Sequence, residues 1–339
     1  MIKKFLKKYW IILIFALIIN IPIVILGTIR TNKDIMLPGD TQNIKGFISI
    51  DNDYIEKGSF SSIYVVDFEH STILQNLLLK NNKTAEISNL NLNYNQLSDM
   101  ELYQAGQIQK NSSIQKAIIL AYQEAKKIDE SINIDYIYRG LQITYYSQNS
   151  KLRIGDFIIK INDVSKDIGY IDFRKELINN LFDDDNTDTF TILRDSKEYV
   201  FTEEEIDHNN FGCYDIFNID YQTINPKATI KSTNVGGPSG GLLQTLSIYN
   251  RLTSFDYTNG LKIAGTGTMS LSGKVGEIGG IKQKIYTAYA DNVDVFFCPK
   301  ENYDDALIAY INLENKEKMA LVKVEYLKDA LEYLEALNV

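Results

Sequence analysis

The chain has 339 residues, 45% of them hydrophobic and 23% charged, with a formal net charge of −9. That length and apolar content suit folded material with more than one core, and the acidic balance argues against non-specific binding to nucleic acid. The two cysteines, Cys213 and Cys298, sit among apolar neighbours and read as buried thiols. With only His70 and His208 beside them, there is no disulfide framework, metal centre, histidine relay or cofactor to be read.

From Tyr9 to Ile29 run 21 uncharged residues, preceded by Lys3, Lys4, Lys7 and Lys8. That length spans a bilayer, and no small-x-small pattern ends it, so residues 9–29 read as an uncleaved anchor in a cell membrane. The lysines before the run place the N-terminus inside and the large remainder outside the cytoplasm. Asn20 is tolerated because its side chain can bond within the helix, and Pro22 because such helices accommodate proline.

After residues 1–34 the pattern turns to short strands at Phe47–Ile50 and Ser62–Val65, then a short helix at Ile73–Leu79. A helix with an apolar stripe is predicted from Ser113 to Lys127. These elements form a first part, residues 35–129. Residues 130–207 read as a separate module. Arg153-Ile154-Gly155-Asp156 is a turn feeding a buried strand, Asp172–Leu181 is a helix, and Thr189–Leu193 and Tyr199–Thr202 are closing strands. This order resembles the PDZ family. The resemblance puts Tyr138, Arg139, Gly140 and Leu141 at the family's carboxylate-binding loop and implies a peptide groove between a strand and a helix. Tyr138 and Arg139 depart from the family pattern. The acidic stretches Asp183–Asp185 and Glu203–Glu205 read as solvated loops without the ligand spacing of a calcium site.

Residues 208–339 carry the chemistry. Lys227–Ser232 is a strand, Asn234–Pro238 a tight turn and Ser239–Tyr249 a helix, which sets Ser239 where free backbone N–H groups favour an anion. Amides around Gly237 and at Ser239 are candidate oxyanion donors, while Pro238 has no N–H to give. Alone, a serine there is more often a plain N-cap. A strand at Leu261–Thr268, a return at Gly273–Gly276 and a helix at Ile281–Ala290 follow. On that last helix Ile281, Ile285 and Ala288 define the inner face. Lys284 lies nearer to it than Lys282, so Lys284 is the lysine predicted to be buried and, by burial, neutral enough to take a proton.

Three motifs, Asn234–Leu242, Ile263–Thr268 and Val275–Lys284, resemble the proteolytic domain of the Lon family. They look most like its membrane-anchored bacterial branch, with a PDZ domain and without an ATPase module. The resemblance implies an α+β fold: a Lon-type proteolytic domain with an inserted PDZ-like domain and an N-terminal transmembrane helix, closed by a helix at Tyr326–Leu334. It also implies a serine endopeptidase with Ser239 as nucleophile, Lys284 as base and Thr266 as partner of the lysine amine. Gly240 replaces the alanine common after the nucleophile. No Gly-x-x-x-x-Gly-Lys-Ser/Thr motif occurs, so the reading is an ATP-independent enzyme acting on exposed or unstructured segments of proteins and peptides. A membrane-tethered PDZ-like scaffold with an inactive protease fold stays open as the alternative, and so does a homo-oligomer.

Overall fold

The uncharged run near the N-terminus forms most of α1 (Ile2–Thr28) in the computed structural model, which describes residues 2–52, 54–90, 97–181, 188–208, 210–233 and 235–337. An 18-residue window within Lys8–Thr28 has a mean hydropathy of 2.8 and is not buried against protein, so by length and composition this helix can cross a membrane. Asn20 donates to the carbonyl of Ala16 at 2.7 Å, satisfying its amide inside the helix.

Beyond Arg30 the chain enters β1 (Lys33–Asn43), β2 (Ile48–Ile50) and β3 (Ser59–Phe68), followed by α2 (Ile73–Leu79), β4 (Glu86–Asn89) and α3 (Asp99–Lys126). Two of these depart from the sequence reading. β1 was not predicted, because Pro38-Gly39-Asp40 breaks its alternation; the strand absorbs them as an irregularity between Pro38 and Thr41 against β3. α3 begins at Asp99 rather than near Ser113. Its start is set by a capping box in which Ser98 accepts from the Glu101 amide and Glu101 accepts from the Ser98 amide.

A second sheet follows, built from β5 (Tyr136–Tyr146), β6 (Phe157–Ile161), β7 (Val164–Ser165), β8 (Thr189–Arg194), β9 (Lys197–Thr202) and β10 (Phe211–Ile219), with α4 (Tyr170–Leu181) and α5 (Glu203–Ile206) between strands. The order is β10-β5-β6-β8-β9, with β7 on β6. Leu141, Ile143, Ile158, Phe173, Phe190 and Ile192 close its core. Because β10 pairs with β5 from Phe211 to Ile219, the strand-paired unit extends past residue 207, the boundary expected from sequence. Glu203–Glu205 is not a solvated loop either. It opens α5, capped by Thr202, with Glu203 buried. Asp183–Asp185 lies outside the described residues.

The remainder supplies β11 (Ala228–Ile230), α6 (Gly241–Leu252), β12 (Lys262–Gly265), β13 (Thr268–Met269), β14 (Val275–Gly276), α7 (Ile281–Ala290), β15 (Val295–Pro299), α8 (Tyr303–Ile311), β16 (Ala320–Val324) and α9 (Leu327–Ala336). β12, β15 and β16 join strands of the first part in one sheet, β16-β15-β12-β3-β1-β4, so residues on both sides of the module build that sheet together. Alternation sorts the side chains. Phe60, Ile263, Val295 and Phe297 join the cluster of α3, α6 and α9, whereas Ile63, Ala264, Phe296 and Cys298 join that of α7 and α8. α6 is buried along its whole length, and each of Leu242, Leu243 and Leu246 contributes about 1.5–3 kcal/mol by leaving water.

One buried carboxylate ties the two sheets' helices together. Asp215 on β10 meets Lys116 of α3 and Arg174 of α4, each at 3.1 Å, and accepts from the Tyr138 hydroxyl at 3.2 Å. Burial alone would raise its pKa, but the two cations and the hydrogen bonds outweigh it and hold the carboxyl below the usual range.

Candidate active site

The turn before α6 is held in place from α3. Gly237 has φ +87°, a left-handed conformation that glycine adopts without steric cost, and its N–H donates to the Gly106 carbonyl at 3.0 Å. Gly236 lies so close to Gly106 that a Cβ on it would sit 3.4 Å from that residue's backbone. Ser113 adds a third tie, donating to the carbonyl of Pro238 at 3.0 Å. The cap position of α6 is Gly240 and carries no side-chain cap, so Ser239 is not the plain N-cap its place in the sequence allows.

The hydroxyl of Ser239 points instead at Lys284. Lys284 Nζ lies 2.8 Å from Ser239 Oγ and 3.0 Å from Thr266 Oγ1, and Thr266 donates from Oγ1 to the Ser239 carbonyl at 3.0 Å. The first turns of α6 and α7 thus meet where β12 ends. Lys284 is 2% exposed and Thr266 is fully buried. Burial, with no acid to offset it, pushes the Lys284 amine down from 10.5 to about 7. An amine so placed is half neutral near pH 7, and its lone pair has a hydroxyl proton within reach. Lys282 points away and pairs with Asp305 at 3.6 Å.

The oxyanion reading needs one correction. Gly237 cannot serve as a donor, because its N–H is spent on Gly106, and Pro238 has none. Among the described residues the amides of Ser239 and Gly240 have no partner, and both adjoin the hydroxyl at the start of α6, where the helix dipole favours negative charge. A Cβ at Gly240 would meet Gln244 Nε2 at 2.8 Å, which a small rotation of that flexible side chain relieves. Asn234 lies outside the described residues.

A cleft of about 890 Å³ opens over these groups, walled by Ser62 and Tyr64 of β3, by Gln109 and Lys110 of α3 and by the turn from Val235 to Gly240. Tyr138, Arg139, Gly140 and Leu141 do not line it and form no carboxylate loop. They lie within β5, which pairs with β10 along most of its length and with β6 at Leu141 and Gln142. Tyr138 packs on Tyr170, Phe173 and Phe217, and Gly140, at φ +113°, approaches the Ile158 carbonyl where a Cβ would clash at 2.6 Å. Sequence reasoning missed the role of α3. Gly106 and Ser113 hold the turn, and the capping box at Ser98 was the signal that the helix reaches back to them.

Fold and site together bring a serine hydroxyl and a buried lysine amine into one cleft. Residues 216–337, which contain Ser239, Thr266 and Lys284, match the family model of the Lon protease (S16) C-terminal proteolytic domain. The chain is similar to the Lon protease of Mycoplasmopsis agalactiae, 27% identical over 145 residues covering 42% of this chain and 14% of that protein. It is also similar to the Lon proteases of Campylobacter concisus, 34% identical over 95 residues (28% of this chain, 11% of the relative), and of Clostridioides difficile, 34% over 96 residues (28% and 12%). The chain thus spans about an eighth of the length of these relatives.

Proposed function

We propose that the chain is a membrane-anchored serine endopeptidase that works without ATP, cleaving exposed or unstructured segments of proteins and peptides with Ser239 as nucleophile and Lys284 as base. The observation that carries this reading is the 2.8 Å contact between the Ser239 hydroxyl and a lysine amine that burial brings to a pKa of about 7. The same contact favours an enzyme over an inactive scaffold.

In this mechanism neutral Lys284 accepts the Ser239 proton as Oγ attacks the carbonyl carbon of the scissile peptide bond. The amides of Ser239 and Gly240 receive the negative oxygen of the tetrahedral intermediate. Protonated Lys284 then gives its proton to the departing amine, leaving an ester on Ser239. Water, deprotonated in turn by Lys284, attacks that ester, releases the carboxylic acid and restores the serine. Thr266 bonds the amine and the Ser239 carbonyl at once, which aims the lone pair at the hydroxyl. The test is to incubate the full chain in detergent with an unfolded polypeptide and no nucleotide, beside Ser239→Ala. Fragments from the parent protein alone support the reading; cleavage that depends on added ATP, or that survives in Ser239→Ala, contradicts it.

The anchor and the lysine bias set the large domain outside the cytoplasm in the same proposal. Protease added to intact cells stripped of any outer barrier is expected to remove the domain from α1. Protection until the cells are lysed would reverse the orientation.

A further inference from the structure

Lys110 stands on α3 one turn beyond Gly106, the residue whose carbonyl holds the Gly237 amide, and it lines the same cleft as Ser239 and Lys284. Only 8% of it is exposed. Its amine donates to the Thr233 carbonyl at 2.5 Å and reaches Thr233 Oγ1 at 3.5 Å. An ammonium has three N–H groups, so at least one is left for the cavity. No ion pair forms between Lys110 and any carboxylate among the described residues. The acid lining this cleft, Asp67, lies on β3 opposite Met36 of β1 and makes none with it. Burial holds the Lys110 amine below the ordinary lysine range, and no neighbouring acid offsets that.

Fastening the Thr233 carbonyl requires only a neutral donor, so the charge has no use within the folded chain and opposes burial there. A substrate that brings its own anion removes that conflict. We propose that Lys110 is the centre of an anion subsite in the cleft, which takes a carboxylate of the bound peptide, either an Asp or Glu side chain or the free C-terminus. This rests on the reading of Ser239 and Lys284 as the peptide-cleaving pair and adds to it a preference for acidic substrates near the scissile bond. A charge-assisted hydrogen bond in a half-closed cleft gives a preference of at least about tenfold over the neutral isostere.

The test uses the full chain in detergent and matched peptides in which a Glu, or a Gln at the same place, is moved through the positions flanking the cleaved bond, with a second set ending in a free or amidated C-terminus. The kcat/KM ratio of Glu to Gln peptides is expected to reach about tenfold or more at one position, or the ratio of free to amidated peptides to do so at the terminus; which set responds identifies the source of the carboxylate. That ratio is expected to fall near one in Lys110→Met and in Lys110→Gln, the second of which keeps a donor for Thr233. Lys110→Glu is expected to favour Lys over Gln at the same position. Absence of any preference in the parent protein overturns the subsite, and so does a preference that survives in Lys110→Met and Lys110→Gln. So does an equal loss on every peptide, which would leave Lys110 a positioning residue for Thr233. Binding of the same labelled peptides to Ser239→Ala separates the two levels of the argument. A carboxylate preference in binding with no cleavage by the parent protein keeps the subsite and sinks the proteolytic reading, whereas cleavage without a preference in either assay does the reverse.

Discussion

Replacing Lys284 by alanine is expected to lower kcat/KM on an unfolded polypeptide by about 10³-fold or more, because it removes the amine positioned to take the Ser239 proton while leaving a hydroxyl too weakly acidic to attack at neutral pH. Ser239→Ala is expected to lose as much, since the pair acts as a unit. Lys282→Ala, two residues away on the same helix, is expected to stay within about threefold of the parent protein, because its side chain is partly exposed and its amine pairs with Asp305 instead of Ser239. Lys284→Arg is not a conservative rescue: a guanidinium cannot give up its proton in a protein. Equal losses at Lys282 and Lys284, with circular dichroism showing both variants folded, would sink the assignment of the base.

The second large effect is on pH dependence. The Lys284 amine lies near 7 instead of 10.5, so the working, neutral form is the majority above about pH 7 and falls tenfold for each pH unit below it. The acylation rate is therefore expected to rise by about fiftyfold between pH 5 and pH 7 and to level off near pH 8 at about a hundredfold above its pH 5 value. Single-turnover measurements over that range, at a constant salt concentration, check it. A profile that is flat across this window, or that falls as pH rises, is incompatible with a titrating lysine base.

Local periodicity carried some parts of this architecture. The 3.6-residue repeat on α7 separated a buried Lys284 from a more exposed Lys282, and the uncharged run marked most of α1. Other parts depend on pairings made far away in the chain, which no local pattern encodes. β1 hides behind Pro38, Gly39 and Asp40 until β3 is laid beside it. The fate of the Gly237 amide is decided by Gly106, and the burial of β5 by β10. The residues expected to form a carboxylate loop lie instead inside β5, where Tyr138, Gly140 and Leu141 pair with β10 and Leu141 also pairs with β6. Thr266 stands apart from both groups: only the family resemblance singled it out in the sequence, and in the structure its hydroxyl lies 3.0 Å from the Lys284 amine.

The central claim is that Ser239 becomes covalently acylated with Lys284 as its base, and peptide mapping by mass spectrometry tests it most directly. The full chain in detergent is mixed with a peptide p-nitrophenyl ester, quenched in acid before deacylation is complete, and digested. The expected result is the acyl group on the peptide containing Ser239, with the adduct forming at least about a hundredfold more slowly in Lys284→Ala. An adduct on another residue, or turnover of the ester with no adduct while Ser239→Ala turns it over equally well, would contradict the account.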